Sequence, residues 1–259
     1  MRTAYKTDIG RIRSVNEDCA AVRTDLNGIT LALLADGMGG HKAGDVASQM
    51  TIDVMQRELI TVHHEMSPKQ WEEAMIRAID RANADVYHKA NQSADFLGMG
   101  TTLVIGIMSS NRLSIAHIGD SRAYLLHKGQ LTRITDDHSL VNELLKSGQI
   151  SEQEANLHPR RNVITRALGT DQRIEADISH TEWYQGDIVL LCTDGLSNLL
   201  SESSMIEILN MDSSLEGRAD LLIERALEAG GEDNVTVVLV SNDSNGQSQG
   251  EGGQVNDRT

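Results

Sequence analysis

An α+β fold, with antiparallel sheets covered on their outer faces by helices, is predicted by three features: short β-branched apolar runs, longer segments with helical spacing, and the order in which these follow one another. The runs are ITLALLA (29–35), TTLVIGIM (101–108), RLSIAHIG (112–119), AYLLH (123–127), DIVLLCT (187–193) and VTVVLVS (235–241). Lengths of about four to eight residues between polar breaks suit strands. Three other segments repeat their apolar residues every three or four positions. Asp45 to Ile60 carries Val46, Met50, Val54 and Leu59. Pro68 to Asn91 carries Trp71, Met75, Ala78, Ile79, Ala82 and Val86, with Pro68 suited to the first turn. Leu215 to Ala229 should turn Leu221, Leu222, Ala226 and Leu227 inward and stop at Gly230-Gly231. One strand leads into two long helices and then three strands follow closely, which is not the rhythm of repeated strand-helix-strand units. SSNR (109–112) and HKGQ (127–130) read as hairpin turns, hence antiparallel pairing.

Residues 138–170 interrupt this order. HSLVNELLKSG predicts a short helix, SEQE (151–154) fits a capping box, and HPRRNVITRALG is basic and irregular, so the segment should cross the sheet edge. After Ser241 the chain becomes NDSNGQSQGEGGQVNDRT. That composition predicts a disordered tail over 242–259 behind one domain over 1–241.

With one Phe, two Trp and four Tyr against ten Met in 259 residues, the core must be mainly aliphatic. The formal charge of -15, from 38 acidic and 23 basic residues, argues against nucleic acid or an anionic membrane surface as partner. Clustered carboxylates are also what a hard divalent cation needs. Cys19 and Cys192 are too few for a disulfide framework and are expected to be small buried thiols. MRTAYKTDIG lacks the apolar centre of a secretory signal, and no run approaches the roughly 18 apolar residues of a membrane span, so a soluble cytoplasmic protein is expected.

An Asp-Gly pair alone is a turn signal. Here it recurs at strand ends: Asp36-Gly37 after ITLALLA, Gly119-Asp120 after RLSIAHI, and Asp194-Gly195 after DIVLLCT, while Asp233 immediately precedes the last strand. In antiparallel sheets the end of one strand and the start of its neighbour share an edge, so these four carboxylates can converge. Convergence raises their pKa values unless a cation neutralises them, and oxygen ligands favour Mg, Mn or Ca. The nine histidines show no zinc-binding spacing. Gly37 can bring its backbone carbonyl close to an ion. A carboxylate shared between two cations is a hallmark of two-metal hydrolases. RSVNEDC (13–19) adds Arg13, able to grip phosphate oxygens, with Glu17 and Asp18 suited to bind metal-held water. Taken by itself, this segment reads more readily as an ordinary surface ion pair.

RSVNED, ADGMGG, the GTT at 100–102, IGDSRAY, LTRITDDHS, ITRALG, CTDGL and GGEDNVTVVLV stand in the order found in metal-dependent serine/threonine phosphatases of type 2C. The chain resembles the bacterial form of that family over roughly residues 1–240. The resemblance implies an α-β-β-α sandwich of two antiparallel sheets flanked by helical layers, with two Mn²⁺ or Mg²⁺ ions at one end. Asp36 matches the ligand bridging both metals and Gly37 the carbonyl ligand. Asp194 and Asp233 match the remaining ligands of the first metal, Glu17 and Asp18 the acidic pair around metal-held water, and Arg13 the phosphate-binding arginine. Asp120 with Asp194 matches a weaker third-metal position, and residues 138–170 a mobile flap. The implied activity is hydrolysis of phosphoserine and phosphothreonine in proteins by water attack without a phosphoenzyme, in a monomer opposing a eukaryotic-like Ser/Thr kinase. Eukaryotic relatives carry a histidine two residues after the bridging aspartate; here that residue is Met38, with His41 nearby, which leaves a bound water as first candidate for proton donor. A dehalogenase-type phosphatase would need an Asp-x-Asp ahead of the glycine, which LLADGM and LLCTDGL lack, and GMGGHK lacks phosphate-loop spacing. A phosphatase-like module that only docks partners is the remaining alternative.

Overall fold

A computed structural model describes residues 1–39 and 43–243. His41 and the stretch 244–259 of the expected tail lie outside the described residues. Two antiparallel sheets form the centre. The first is ordered β1 (Arg2–Asp8), β11 (Val235–Ser241), β10 (Ile188–Cys192), β7 (Arg122–His127) and β8 (Gln130–Arg133). The second is ordered β2 (Asp18–Leu26), β3 (Ile29–Met38), β5 (Leu103–Met108), β6 (Arg112–Ile118) and β9 (Asp177–Glu182), with the short β4 (Gly100–Thr101) also paired to β3. Helices α1 (Ala43–Glu58) and α2 (Pro68–Ala90) cover the second sheet, and α5 (Asp194–Ser197), α6 (Glu202–Leu209) and α7 (Leu215–Glu228) the first. The short helices α3 (Leu140–Lys146) and α4 (Glu152–Leu157) lie in the segment that leaves the sandwich.

Strand alternation builds the layers. In β3, Leu31, Leu33 and Ala35 face Trp71, Met75 and Ile79 of α2, while Ala32 and Leu34 face the other sheet. In β11, Val237 and Leu239 face the helices, whereas Val238 and Val240 meet Leu34 and Val104 between the sheets. Both faces of each central strand are thus covered, which is why ITLALLA and VTVVLV are solidly apolar instead of alternating. The strands that sequence inspection passes over, β1, β2 and β9, lie at sheet edges, where one side meets water and RTAYKTD or DISHTE is tolerated.

Both predicted hairpins are present, joining β5 to β6 and β7 to β8. Ser151 and Glu154 form the expected capping box, and Ser67 with Gln70 forms another ahead of α2. Two predicted stripes are displaced. In α1 the buried residues include Ala47, Ser48, Thr51, Ile52 and Met55 beside the expected Val54, and Leu59 just beyond the helix is buried too, with Val46 and Met50 only partly covered. In α7 they are Leu215, Ala219, Leu222, Ile223 and Ala226, and Leu221 and Leu227 sit on the flank. In both cases the buried face mixes large and small residues, Ala47 and Thr51 in α1 and Ala219 in α7 among them, so the helix is rotated from where the largest residues alone would put it. Cys192 is buried as expected, but Cys19, on edge strand β2, is only partly covered.

Asn242 and Asp243 continue the ordered chain past β11: Asn242 N–H donates to the Asp187 carbonyl at 3.0 Å, and Asp243 pairs with Arg2. Among the described residues no helix is long and apolar enough to cross a membrane. Leu191 is fully buried between the sheets, so Leu191→Ala is expected to lower unfolding free energy by about 2–5 kcal/mol, measured by denaturant titration.

Candidate active site

The turns at one end of the sandwich bring the separated aspartates together. Asp36 stands near the end of β3, Asp120 just after β6, Asp194 at the start of α5 directly after β10, and Asp233 two residues before β11. Antiparallel pairing of β10 with β11 places the last two side by side, and Thr193 N–H donates to the Thr236 carbonyl at 3.1 Å beneath them. Arg13, Glu17, Asp36, Gly37, Asp120, Asp194 and Asp233 line one pocket of 220 Å³, with Met38, Thr102, Asn162, Ile164 and Asn234. Seven of the eight residues singled out from the sequence therefore meet. The eighth, Asp18, pairs in register with Asp36 but lies behind the wall.

The walls are hydrogen-bonded from several directions. Asp18 Oδ2 accepts from Thr193 Oγ1 at 3.0 Å and Thr236 Oγ1 at 2.7 Å. Its Oδ1 is buried with no hydrogen-bond partner in the described structure. Asn234 is the residue sequence reading missed: its amide donates to the Ile9 and Val15 carbonyls at 2.9 and 3.0 Å, and its Oδ1 accepts from Glu17 N–H at 2.8 Å. It thereby fixes the loop that carries Arg13 and Glu17 beside Asp233. The motif GGEDN contains it, but an asparagine after an aspartate carries no chemical signal by itself. Asn162 and Ile164, from the basic segment 158–166, also reach the pocket.

Gly37 has a packing reason beyond its carbonyl. A Cβ there would lie 2.0 Å from the Gly44 carbonyl oxygen and 2.7 Å from that of Glu17, and Gly195 stands equally close to the Asn234 carbonyl. The Asp-Gly pairs allow backbone to press on backbone behind each carboxylate. This contact seats the first turn of α1 against Glu17, whose carboxylate accepts a hydrogen bond from Gly44 N–H.

Charge dominates the pocket. Burial, and then Asp18, Asp194, Asp120 and Asp233, push Asp36 well above the usual carboxylate range. Burial, followed by Asp194 and Asp137, pushes Asp120 up to about 7, partly offset by Arg122. Asp18 rises to about 7 through burial despite its two threonine donors, and Asp194 to about 6 through burial and Asp233. Burial also raises Glu17. Two cations act against this: Arg122, held bidentately by Asp137 at 2.9 and 2.6 Å, and Arg13, which is 47% exposed and donates to Asp233 Oδ2 at 2.7 Å. Arg13 thus occupies the pocket as the partner of a carboxylate.

This donor set fits divalent cations of the hard kind. It consists of carboxylate and backbone oxygens, it holds more negative charge than its arginines balance, and Asp18 leaves one buried acceptor lacking a partner. A larger neighbouring cavity of 540 Å³, between α3 and α6, is lined by Arg122, Arg133, Leu145 and Met205 and gathers no comparable carboxylates.

Comparison with known proteins identifies the family. The Protein phosphatase 2C family pattern matches residues 11–227. The chain is 41% identical over 243 residues to the serine/threonine phosphatase stp of Listeria monocytogenes, covering 94% of this chain and 96% of that protein. The structure of the Streptococcus agalactiae serine/threonine phosphatase superposes with a TM-score of 0.88 at 36% identity, over 93% of this chain and 98% of the other. The catalytic domain of the serine/threonine phosphatase PstP, solved in complex with two manganese ions, superposes with a TM-score of 0.81 at 37% identity, over 92% of this chain and 96% of the other.

Raised folded-state pKa values make the carboxylates stabilising only while protonated. Their contribution is complete below about pH 4, the unfolded value, and is lost as pH climbs through the folded values near 6 and 7. In chelator, Asp36→Asn is therefore expected to melt above wild type by a margin that widens from pH 5 to pH 8. Thermal melts across that range check it, and a constant margin would contradict the electrostatic account.

Proposed function

We propose that this chain, which belongs to the protein phosphatase 2C family and is a serine/threonine phosphatase, hydrolyses phosphoserine and phosphothreonine in proteins at the carboxylate pocket with Mn²⁺ or Mg²⁺ bound there. The observation that carries the assignment to this pocket is the convergence of Asp36, Asp120, Asp194 and Asp233 beside Arg13. In this reading Asp36, the Gly37 carbonyl, Asp194 and Asp233 would hold the cations, with Asp36 as the shared ligand, Glu17 and Asp18 would hold water beside them, and Asp120 with Asp194 would offer a weaker third place. Bound cations would polarise the phosphoryl oxygens and lower the pKa of water to supply the nucleophile.

The protein's own groups do the rest. Without a counter-charge the carboxylates would repel a phosphate monoester, so they select for substrate arriving at a cation-loaded pocket. Arg13, half-exposed on its loop, is free to turn its planar fork from Asp233 to the equatorial phosphoryl oxygens, where charge grows in the transition state. The loop's attachment through Asn234 aims that fork. Thr101 Oγ1 donates to the Asp36 carbonyl at 2.8 Å and Thr102 Oγ1 accepts from Asp36 N–H at 3.0 Å, holding the central carboxylate's backbone on both sides. No histidine lines the pocket among the described residues.

The catalytic domain in this proposal is residues 1–241, with 138–170 as its flap. The working unit is the monomer, because one chain supplies all the pocket carboxylates. Its partners are phosphorylated proteins and a Ser/Thr kinase whose products it reverses, in the cytoplasm, where two unbridged cysteines stay reduced.

Phosphate release from a phosphothreonine peptide, measured with chelator and with added Mn²⁺ or Mg²⁺, tests the proposal. Wild type should turn over only with metal, and Asp36→Asn should abolish turnover while remaining folded. Metal-loaded wild type that is folded yet inactive would overturn the assignment of the reaction to this pocket. Arg13→Ala should raise KM about ten-fold or more, the scale of a lost charge-assisted hydrogen bond, with a smaller change in kcat. An unchanged KM would remove Arg13 from the phosphate.

A further inference from the structure

A tight group of potential ligands, His117, His138 and Asp177, lies outside the carboxylate pocket, with one donor atom from each within 4.8 Å of the others. It is not built as a metal centre. The imidazoles stack at 4.6 Å with 22° between their planes, so their in-plane lone pairs run nearly parallel and do not converge. The ring nitrogens are also committed. His138 Nδ1 accepts from Gly119 N–H at 3.2 Å, which puts the proton of the uncharged ring on Nε2, 3.3 Å from Asp177 Oδ2. His117 Nε2 donates to the Asp136 carbonyl at 2.8 Å.

What the group does is join separate stretches of chain. His138 N–H donates to the Gly119 carbonyl at 2.9 Å, so one residue takes both backbone polar groups of the glycine directly before Asp120. The His138 carbonyl accepts from Thr165 N–H at 2.7 Å, and Leu140 N–H donates to the Val163 carbonyl at 2.9 Å, tying the beginning of the flap to its end. Asp177, on β9, also accepts from Arg166 at 2.9 Å. Two residues further, Leu168 exchanges backbone hydrogen bonds with Thr101, whose hydroxyl holds the Asp36 carbonyl. His138 itself is buried, and its Nε2 makes no hydrogen bond of good geometry, Asp177 Oδ2 being its charged neighbour at 3.3 Å.

We infer that His138 is a positioning residue for the reaction: by holding both polar groups of Gly119 and resting its Nε2–H against Asp177, it locks the Asp120 turn to the base of the flap. Flap and carboxylate then keep one relative placement, and displacement of either is felt by the other. The catalytic part of this inference rests on the pocket assignment above; the mechanical part does not.

Three substitutions separate the two ring nitrogens. His138→Asn presents an amide oxygen where Nδ1 stands, His138→Gln reaches the Nε2 position without it, and His138→Ala removes both. With saturating Mn²⁺, kcat on the phosphothreonine peptide is expected to fall about 10- to 100-fold in the Ala and Gln variants, the range for residues that orient ligands, with KM little changed, and to recover toward wild type in the Asn variant. Backbone hydrogen exchange, measured in chelator without substrate, should accelerate at 119–121 in Ala and Gln and not in Asn, and at 163–168 in Ala and Asn and not in Gln. That readout tests the lock even if the wild type proved inactive. Asp177→Asn, at a half-exposed position, tests it where the His138 variants do not fold: faster exchange at 163–168 supports the lock and unchanged exchange overturns it. Wild-type kcat and exchange in His138→Ala, or equal losses in all three variants tracking a common fall in Tm, would also overturn it. So would one zinc ion bound per chain and lost on His138→Asn.

Discussion

Mutual repulsion among carboxylates crowded at one end of the sandwich is the constraint to which the rest of the structure answers. Asp18, Asp36, Asp120 and Asp194 are each raised by burial and then by neighbouring carboxylates, Asp233 among them, and no arrangement of their neighbours removes that strain in the protein alone. The surrounding hydrogen bonds resist the tendency of these groups to move apart. Thr193 and Thr236 hold Asp18, Thr101 and Thr102 hold the backbone of Asp36, and Asn198 donates to Asp194. A pocket so organised against its own charge is preorganised for cations, and stability is given up for affinity.

The architecture makes this possible by separating two tasks. Apolar side chains between the sheets and under the helices supply cohesion, and none of them is needed at the strand ends. The turns are left free to carry charge. Close backbone contacts at Gly37 and Gly195 then bring turns from both sheets near enough for their aspartates to share one small volume.

Arg13 and the flap represent two different answers to access. Arg13 is tethered through Asn234 but exposed, and in the proposed reaction it would exchange a carboxylate for a phosphoryl group without moving the core. The flap is pinned at its base to the Asp120 turn and to the strand that carries Asp36, while Leu157 and Val163 along it remain exposed. Substrate contacts made out on that segment therefore have a mechanical route to the carboxylates that does not pass through the core.

The layered α+β fold, the central strands and the aspartates at their ends were legible in the sequence because each follows from a local rule: apolar runs of strand length, three-to-four spacing, and Asp-Gly at the end of a run. Edge strands β1, β2 and β9 were not, since an edge needs no continuous apolar pattern and reads as polar coil. The inward faces of α1 and α7 were read only in part: Val54, Leu59, Leu222 and Ala226 are buried as expected, while Val46, Met50, Leu221 and Leu227 sit on the flanks because the helices are rotated toward faces that also carry small residues. By itself the sequence determined the fold class, the family resemblance and which carboxylates, with Arg13, had to meet. Only the tertiary structure decided that Asp18 stands behind the wall, that Asn234 aims the Arg13 loop, and that His138 binds the flap to Asp120. These depend on hydrogen bonds between residues far apart in the chain, whose direction no local pattern encodes.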